Sequence, residues 1–339
     1  MLALDDANFV QRAKMAVEVG DCAAARHYWD EALVRYPNFA KRSRDALQIL
    51  LGLESFDEAE ALMVEGQRRE PREGYYASGY ALVAQRRGDL EEAIQRWSRV
   101  RRKFPGYWTG FVHAANCLRQ TGKLNAADAL LKKATERFPR QVEAWWEWAV
   151  VAEEREDWEA ALRRWETVSD EFNNGYGPVG AAEALEKLGR GEEAEQRLKV
   201  AQSRYPLEPG IATALAGLAY RRGDKEAAVL CWADARRRFP KMAGGYQEGI
   251  RLLREMGQFA NADQVAEAAV DRFPDDAWPI IEYALLAHGR QDWKEAALRW
   301  ELVRERWPHR REGYELGAEA LALLGREAEA AELRLGPPS

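Results

Sequence analysis

The side chains that could do chemistry are few, and their spacing keeps them apart. The four histidines, His27, His113, His288 and His309, are scattered, and there are seven serines. A serine or cysteine nucleophile needs a base beside it, and no Gly-x-Ser-x-Gly turn is present to present one. Gly189-Arg190-Gly191 runs on into Glu192-Glu193, where a phosphate-binding loop needs lysine and a hydroxyl. His113 and Cys117 stand four apart, a helical spacing that can offer two metal ligands. A zinc site needs three or four, so an ordinary helical pair is the expectation. Glu153-Glu154-Arg155-Glu156-Asp157 reads as a solvated turn. Arg101-Arg102-Lys103 and Arg236-Arg237-Arg238 end helices, where cations complement the helix dipole; an acidic partner is the other use for them. No catalytic centre, cofactor or metal is expected, and the chain is read as non-enzymatic.

The tryptophans concentrate between Arg140 and Phe172, a stretch that holds five of the thirteen. Trp145, Trp148, Ala149 and Ala152 make one apolar helical stripe, and Ala161, Leu162, Trp165 and Val168 make a second. A charged turn near Arg155-Glu156-Asp157 separates them. Neither helix could bury its stripe alone, and the rest of the chain supplies neighbours in copies. Prolines fall at Pro37, Pro71, Pro105, Pro139, Pro206, Pro240, Pro274 and Pro308, at steps of 34 residues except one of 67. Asn173 stands in that long gap, 34 residues after Pro139. Twelve residues before each of these points lies an alanine: Ala25, Ala59, Ala93, Ala127, Ala161, Ala194, Ala228, Ala262 and Ala296. A fixed period of this size means a repeat array. Four residues after each alanine comes a large residue, then a smaller one in the next copy: Trp29, Met63, Trp97, Leu131, Trp165, Leu198, Trp232, Ala266, Trp300. The true unit is therefore a pair of copies.

The pattern resembles the tetratricopeptide repeat. Trp145, Ala149, Ala161, Trp165 and Asn173 occupy its positions 4, 8, 20, 24 and 32, and Ile280, Ala284, Ala296, Trp300 and Pro308 do so again. Val168 at the small position 27 departs from it. The resemblance covers about residues 5 to 335. It implies an all-α, right-handed solenoid or superhelix of about nine to ten helix-turn-helix repeats, about 20 helices, as one array over 1–339. Odd copies turn at Gly-Asp or Asp-Trp. Even copies place Gly52, Gly122, Gly189, Gly257 and Gly325 where a helix C-terminus suits glycine. Asn173 to Pro178 is one residue short and breaks the rhythm. It reads as an altered helix start, since proline suits the first helical turn, with a flexible joint at 173–178 as the alternative.

Net charge is −6 with a sequence pI near 5.6, which gives no reason to expect a nucleic-acid binder. Cys22, Cys117 and Cys231 lack disulfide-framework spacing, so a reducing, cytoplasmic setting is expected. No apolar run reaches the length of a membrane span, and no membrane insertion is expected. At the C-terminus Leu333 and Leu335 look poorly covered, which suggests either a longer protein or a homodimer paired through the array ends.

What the resemblance implies for function is a surface. In such arrays the first helix of each repeat lines a concave groove, with positions 2, 5, 9 and 12 toward the ligand and 4, 7, 8 and 11 toward the core. Trp145 and Trp148 then belong inside. The groove candidates of odd copies are Tyr75, Leu82, Trp146, Val150, Tyr220, Trp278, Ile281 and Leu285. Even copies offer Arg44, Gln48, Asn116, Arg119, Gln247, Arg251 and Arg254, and Glu312, Glu315 and Glu319 turn the far end acidic. Aromatic residues and arginine are the usual hot spots of interfaces. The expected function is a scaffold or adaptor that grips a peptide or protein segment. The alternative is a recognition module for a glycosyltransferase or other envelope-polysaccharide or group-transfer enzyme. The run from Asp157 to Trp165, repeated from Asp292 to Trp300, looks like repeats of bacterial chains fused to such transferases, and aromatic groove residues can stack on sugars.

Overall fold

A computed structural model describes residues 3–38 and 44–336. The described residues form twenty helices and no strand. In chain order these are α1 (Ala3–Glu18), α2 (Cys22–Arg35), α3 (Asp45–Gly52), α4 (Phe56–Arg69), α5 (Gly74–Arg87), α6 (Leu90–Lys103), α7 (Thr109–Gln120), α8 (Leu124–Arg137), α9 (Val142–Glu154) and α10 (Trp158–Phe172). They continue as α11 (Gly177–Lys187), α12 (Gly191–Arg204), α13 (Pro209–Arg221), α14 (Lys225–Arg238), α15 (Ala243–Glu255), α16 (Phe259–Arg272), α17 (Trp278–Gly289), α18 (Trp293–Arg306), α19 (Arg311–Leu323) and α20 (Glu327–Leu333). The helices pair antiparallel as α1 with α2, α3 with α4 and so on, an all-α helical-repeat solenoid. The chain packs as two compact units, Met1–Asn174 and Gly175–Ser339. Within the first unit the leading helices of successive pairs also touch, α1 with α3, α3 with α5, α5 with α7 and α7 with α9; in the second, α11 touches α13.

The period is a packing period. All nine alanines at repeat position 20 are at 0 % exposure, so each second helix approaches its partner where only a methyl fits. The alternating residues at position 24, from Trp29 to Trp300, are all buried. A buried indole needs an acceptor for its N–H, and in three copies position 12 of the same repeat supplies it. Trp97 Nε1 donates to Gln85 Oε1 at 3.1 Å, Trp165 to Glu153 at 2.7 Å and Trp300 to His288 Nδ1 at 3.4 Å. In the first copy Val17 holds that place, and the buried Trp29 Nε1 has no hydrogen-bond partner among the described residues. Trp145 and Trp148, expected inside, are half-buried. Their N–H groups reach out to the Pro139 carbonyl at 3.2 Å and to Asp128 at 3.0 Å.

Arginines clasp one pair to the next in two ways that periodicity alone does not show. The first involves Arg96, Arg164 and Arg299, each beside a position-24 tryptophan. Arg96 lies 3.6 Å over the Tyr80 ring, donates to the Tyr80 carbonyl at 3.0 Å and bonds Glu60 of the preceding pair at 2.8 Å. Arg164 repeats this on Trp148 (4.0 Å), its carbonyl (2.6 Å) and Asp128 (2.9 Å). Arg299 repeats it on Tyr283 (3.5 Å), its carbonyl (2.8 Å) and Asp263 (2.6 Å). Each carboxylate also takes a second cation: Arg87 at 3.1 Å, Arg155 at 3.3 Å, and Arg290.

The second device is a strap. Arg101, Arg236 and Arg304 donate to the carbonyls of Gly110, Gly245 and Gly313 in the following helix at 3.2, 2.9 and 2.8 Å. Their stems run across those glycines, where an added Cβ would meet the arginine Cγ at 3.1–3.2 Å. Burial lowers the guanidinium pKa of all three. The leading residues of the two basic runs are thus inter-repeat struts as well as helix-end cations.

The turns follow expectation with one correction. Gly122, Gly189, Gly257 and Gly325 adopt φ of 71–78°. Gly52 does not: Glu54 takes the left-handed conformation at φ 54°, and Gly52 is kept small by Val17, whose Cγ1 would lie 2.3 Å from an added Cβ. Asn173 is left-handed at φ 49°, and Pro178 sits in the first turn of α11. The boundary between the two units falls between Asn174 and Gly175. Leu333 is half-buried against the cluster around Trp300, whereas Leu335 is 88 % exposed.

Candidate functional site

The leading helices carry the groove candidates, with Arg44 at the N-cap of α3, and the structure divides these into small groups. In the first unit Arg44 and Tyr75 come together: the Tyr75 hydroxyl donates to the Arg44 carbonyl at 2.9 Å, and the guanidinium stands 5.7 Å from the ring. Burial pushes the Tyr75 phenol up to about 12. Leu82 is half-buried, packed between two core clusters. Asn116 accepts from Gln120 at 2.5 Å, and Arg119 pairs with Glu154. Arg119 Nε also lies 3.7 Å from Glu147 Oε2, and both atoms are buried without a hydrogen bond. Burial raises the Glu147 carboxyl despite the neighbouring Arg119. Trp146 is half-buried with its ring edge-to-face on Trp165 at 5.0 Å, and Val150 is half-buried.

In the second unit Arg251 lies 4.9 Å over the Tyr220 ring and pairs with Glu248 at 2.7 Å and with Glu255. Arg254 faces Glu282 at 3.9 Å. Trp278 is half-buried against Phe273 at 5.4 Å; Ile281 and Leu285 are half-buried on the cluster around Trp300. Gln48 and Gln247 are exposed, as are Glu315 and Glu319, while Glu312 is half-buried. Arg119, Arg251 and Arg254, read from the sequence as free contacts for a partner, arrive already matched to carboxylates. Those of Arg251 lie a helical turn away, at i,i+3 and i,i+4 spacing; those of Arg119 and Arg254 lie on the next leading helix, at separations no local pattern reveals.

An apolar concavity lies elsewhere. A cavity of about 380 Å³ lies between α11 and α13. Val179, Ala182, Leu198, Ala214, Gly217, Leu218 and Trp232 form its apolar wall, with Glu183, Glu186 and Arg221 at the polar edge. Arg221 bonds both Glu186 oxygens at 2.6 Å. Its origin is a pair of small residues. In register with Trp146 and Val150, the seventh copy has Thr213 and Gly217, so the wall that a large side chain covers in α9 is bare in α13. A sequence scan for large or charged candidates misses it, because the signal is what those positions lack.

His113 and Cys117, the helical pair whose spacing could offer two metal ligands, serve packing. His113 stacks on Trp97 at 4.8 Å with rings 9° from parallel, and burial lowers its pKa. Cys117 is fully buried, its thiol pushed up to about 11 by burial, far from the thiolate that a metal requires. Among the described residues no three His, Cys, Asp or Glu side chains converge as metal ligands, and no helix is long and apolar enough to cross a membrane.

The tetratricopeptide repeat family model matches residues 112–172. That span ends on the buried Trp165 pair, and its position-20 and position-24 contacts recur in the other pairs. Residues 112–172 belong to the tetratricopeptide repeat family, within an all-α helical-repeat solenoid. Among solved structures it is similar to the C-terminal part of a TPR repeat-containing protein from Cytophaga hutchinsonii, at 12% identity, covering 70% of this chain and 98% of that one with a TM-score of 0.50. A tetratricopeptide repeat protein from Parabacteroides merdae is 14% identical over 73% of this chain and 98% of that one, TM-score 0.46. Yeast Tom70 is 13% identical over 98% and 91%, TM-score 0.42. A search of the curated proteins finds no match. Tetratricopeptide arrays are in general non-catalytic modules that engage other proteins.

Proposed function

We propose that this tetratricopeptide array is a scaffold whose leading-helix face holds a segment of a protein partner, anchored by an apolar side chain in the cavity between α11 and α13. The observation that carries this reading is the bare wall at Thr213 and Gly217, which leaves about 380 Å³ open beside Trp232. Ligand sites are concave, mostly apolar and edged by a few polar groups, and this cavity has that composition. The Arg221–Glu186 pair at its edge can rearrange to meet a peptide backbone. The half-buried Tyr75 and Trp146 in the first unit, and Tyr220, Trp278, Ile281 and Leu285 in the second, offer the same kind of surface within each unit.

Paired peptide and glycan arrays test the reading. Binding to peptides with an apolar anchor, weakened by Gly217→Leu, is expected. Glycan binding without peptide binding would instead favour a module serving a glycosyltransferase or related group-transfer enzyme.

A further inference from the structure

Among the odd copies that follow another pair, the recurring arginine clasp is missing in one, and the space it would fill is open. Arg96, Arg164 and Arg299 stand 16 residues after the aromatic whose carbonyl they bond and 36 after the carboxylate they bind. In the seventh copy those places are held by Cys231, Leu215 and Glu195. The carboxylate and its second cation are kept: Arg222, the counterpart of Arg87, Arg155 and Arg290, bonds Glu195 at 2.6 Å. The guanidinium and the aromatic plate are gone. A cavity of about 280 Å³ lies there, between α12, α13 and α14, lined by Glu195, Leu215, Cys231, Lys199, Arg222 and Asp234 among others. That is several times the roughly 30 Å³ a water molecule takes up. The cavity borders α13 on its Ala212–Leu215–Ala219 face, whereas the α11–α13 cavity borders the Thr213–Gly217–Arg221 face.

We infer that this cavity receives an arginine side chain presented by a protein partner. The chain itself shows three times what such a cavity binds: a guanidinium that reaches a carboxylate on the preceding pair and a helix carbonyl on its own. Glu195 and the Leu215 carbonyl are in the same register. Lys199, four residues along the same helix from Glu195, now bonds that carboxylate at 2.6 Å, and its side chain is 60% exposed, so it can give way to an incoming guanidinium. Around the opening Glu195 is paired with Lys199 and Arg222, and Asp234 with Arg237 and Arg238, so an incoming guanidinium exchanges with an exposed cation for a carboxylate already in place. Leu230, 71 % exposed at the rim, offers apolar contact to the segment that carries the arginine. A planar fork of donors suits this carboxylate-plus-carbonyl pair better than the point charge of an ammonium.

The site lies on the other side of α13 from the anchor cavity, so a separate experiment tests it. Capped Gly-Arg-Gly, Gly-Lys-Gly and Gly-citrulline-Gly peptides are titrated into the full chain at millimolar concentration while the methyl NMR signals of Leu215 and Leu230 are followed. The arginine peptide is expected to shift both saturably, and the neutral citrulline peptide to shift neither. Glu195→Gln should weaken the arginine peptide several-fold, and Cys231→Arg, which supplies the guanidinium from within, should abolish its effect. Equal shifts with lysine or citrulline, no shift with arginine, or unchanged binding to Cys231→Arg would each overturn the inference. The wild-type peptide comparison decides even where a variant fails to fold, and Gly217→Leu should leave this binding intact.

Discussion

At the scale of single residues, the sharpest contrast is between two tryptophans in contact. Trp165 is 4 % exposed and its N–H bonds Glu153; Trp146 covers it from the leading-helix side at 5.0 Å. Trp165→Ala should cost about 3–5 kcal/mol, the usual loss for a large core aromatic, read from denaturant melts. Trp146→Ala should cost less than half of that, because the ring is only half-buried, yet more than a surface change, because it shields Trp165. Asp263 gives a pH test. Burial alone would raise its carboxyl, but hydrogen bonds from Arg299 and Arg290 outweigh this and hold it below the ordinary aspartate range. A folded pKa below the unfolded one contributes stability above the unfolded value, about 3.9, that is lost as pH falls toward the folded value. Asp263→Asn should therefore lower the melting temperature at neutral pH and flatten its decline below about pH 4. An unchanged acid profile would show that the clasp contributes no net stability.

At the scale of the helix, Gly217 in the middle of α13 is informative because glycine is costly there. Replacing it by leucine, the residue type that Leu82 supplies in the third copy, should add about 0.5–1 kcal/mol of helix stability. Only Arg221 approaches an added Cβ, at 3.1 Å, and that contact is the flexible end of a side chain. A melting temperature that falls would mean that the cavity wall cannot accept the side chain. This helix also shows what was legible beforehand. The helix pairs, the buried alanines and the alternating Trp series are local or strictly periodic, so spacing exposed them. The clasps were not legible, because Arg96 finds Glu60 and Arg299 finds Asp263 at 36 residues' separation, across a helix. Nor was the cavity, which follows from Thr213 and Gly217 being small, nor the turn at Glu54, where Val17 occupies the space beside Gly52.

At the scale of the whole molecule, stability in a repeat array is close to a sum of repeat and nearest-neighbour terms. A broken clasp should then act locally. In Arg299→Met, hydrogen exchange is expected to speed up in α16 to α18 and to stay unchanged in α5 to α8; uniform acceleration through both units would show instead that the chain unfolds as one body. The proposed function rests, at this scale, on the leading-helix face being a receptor for another polypeptide, with the cavity beside Gly217 as its anchor point. The most direct test is calorimetric titration of an apolar-anchored peptide, chosen from the array, into wild-type protein and Gly217→Leu, with melts of both. The account predicts at least a tenfold loss of affinity, about 1.4 kcal/mol, in a variant that melts no lower than wild type. Unchanged affinity in a folded Gly217→Leu would contradict it.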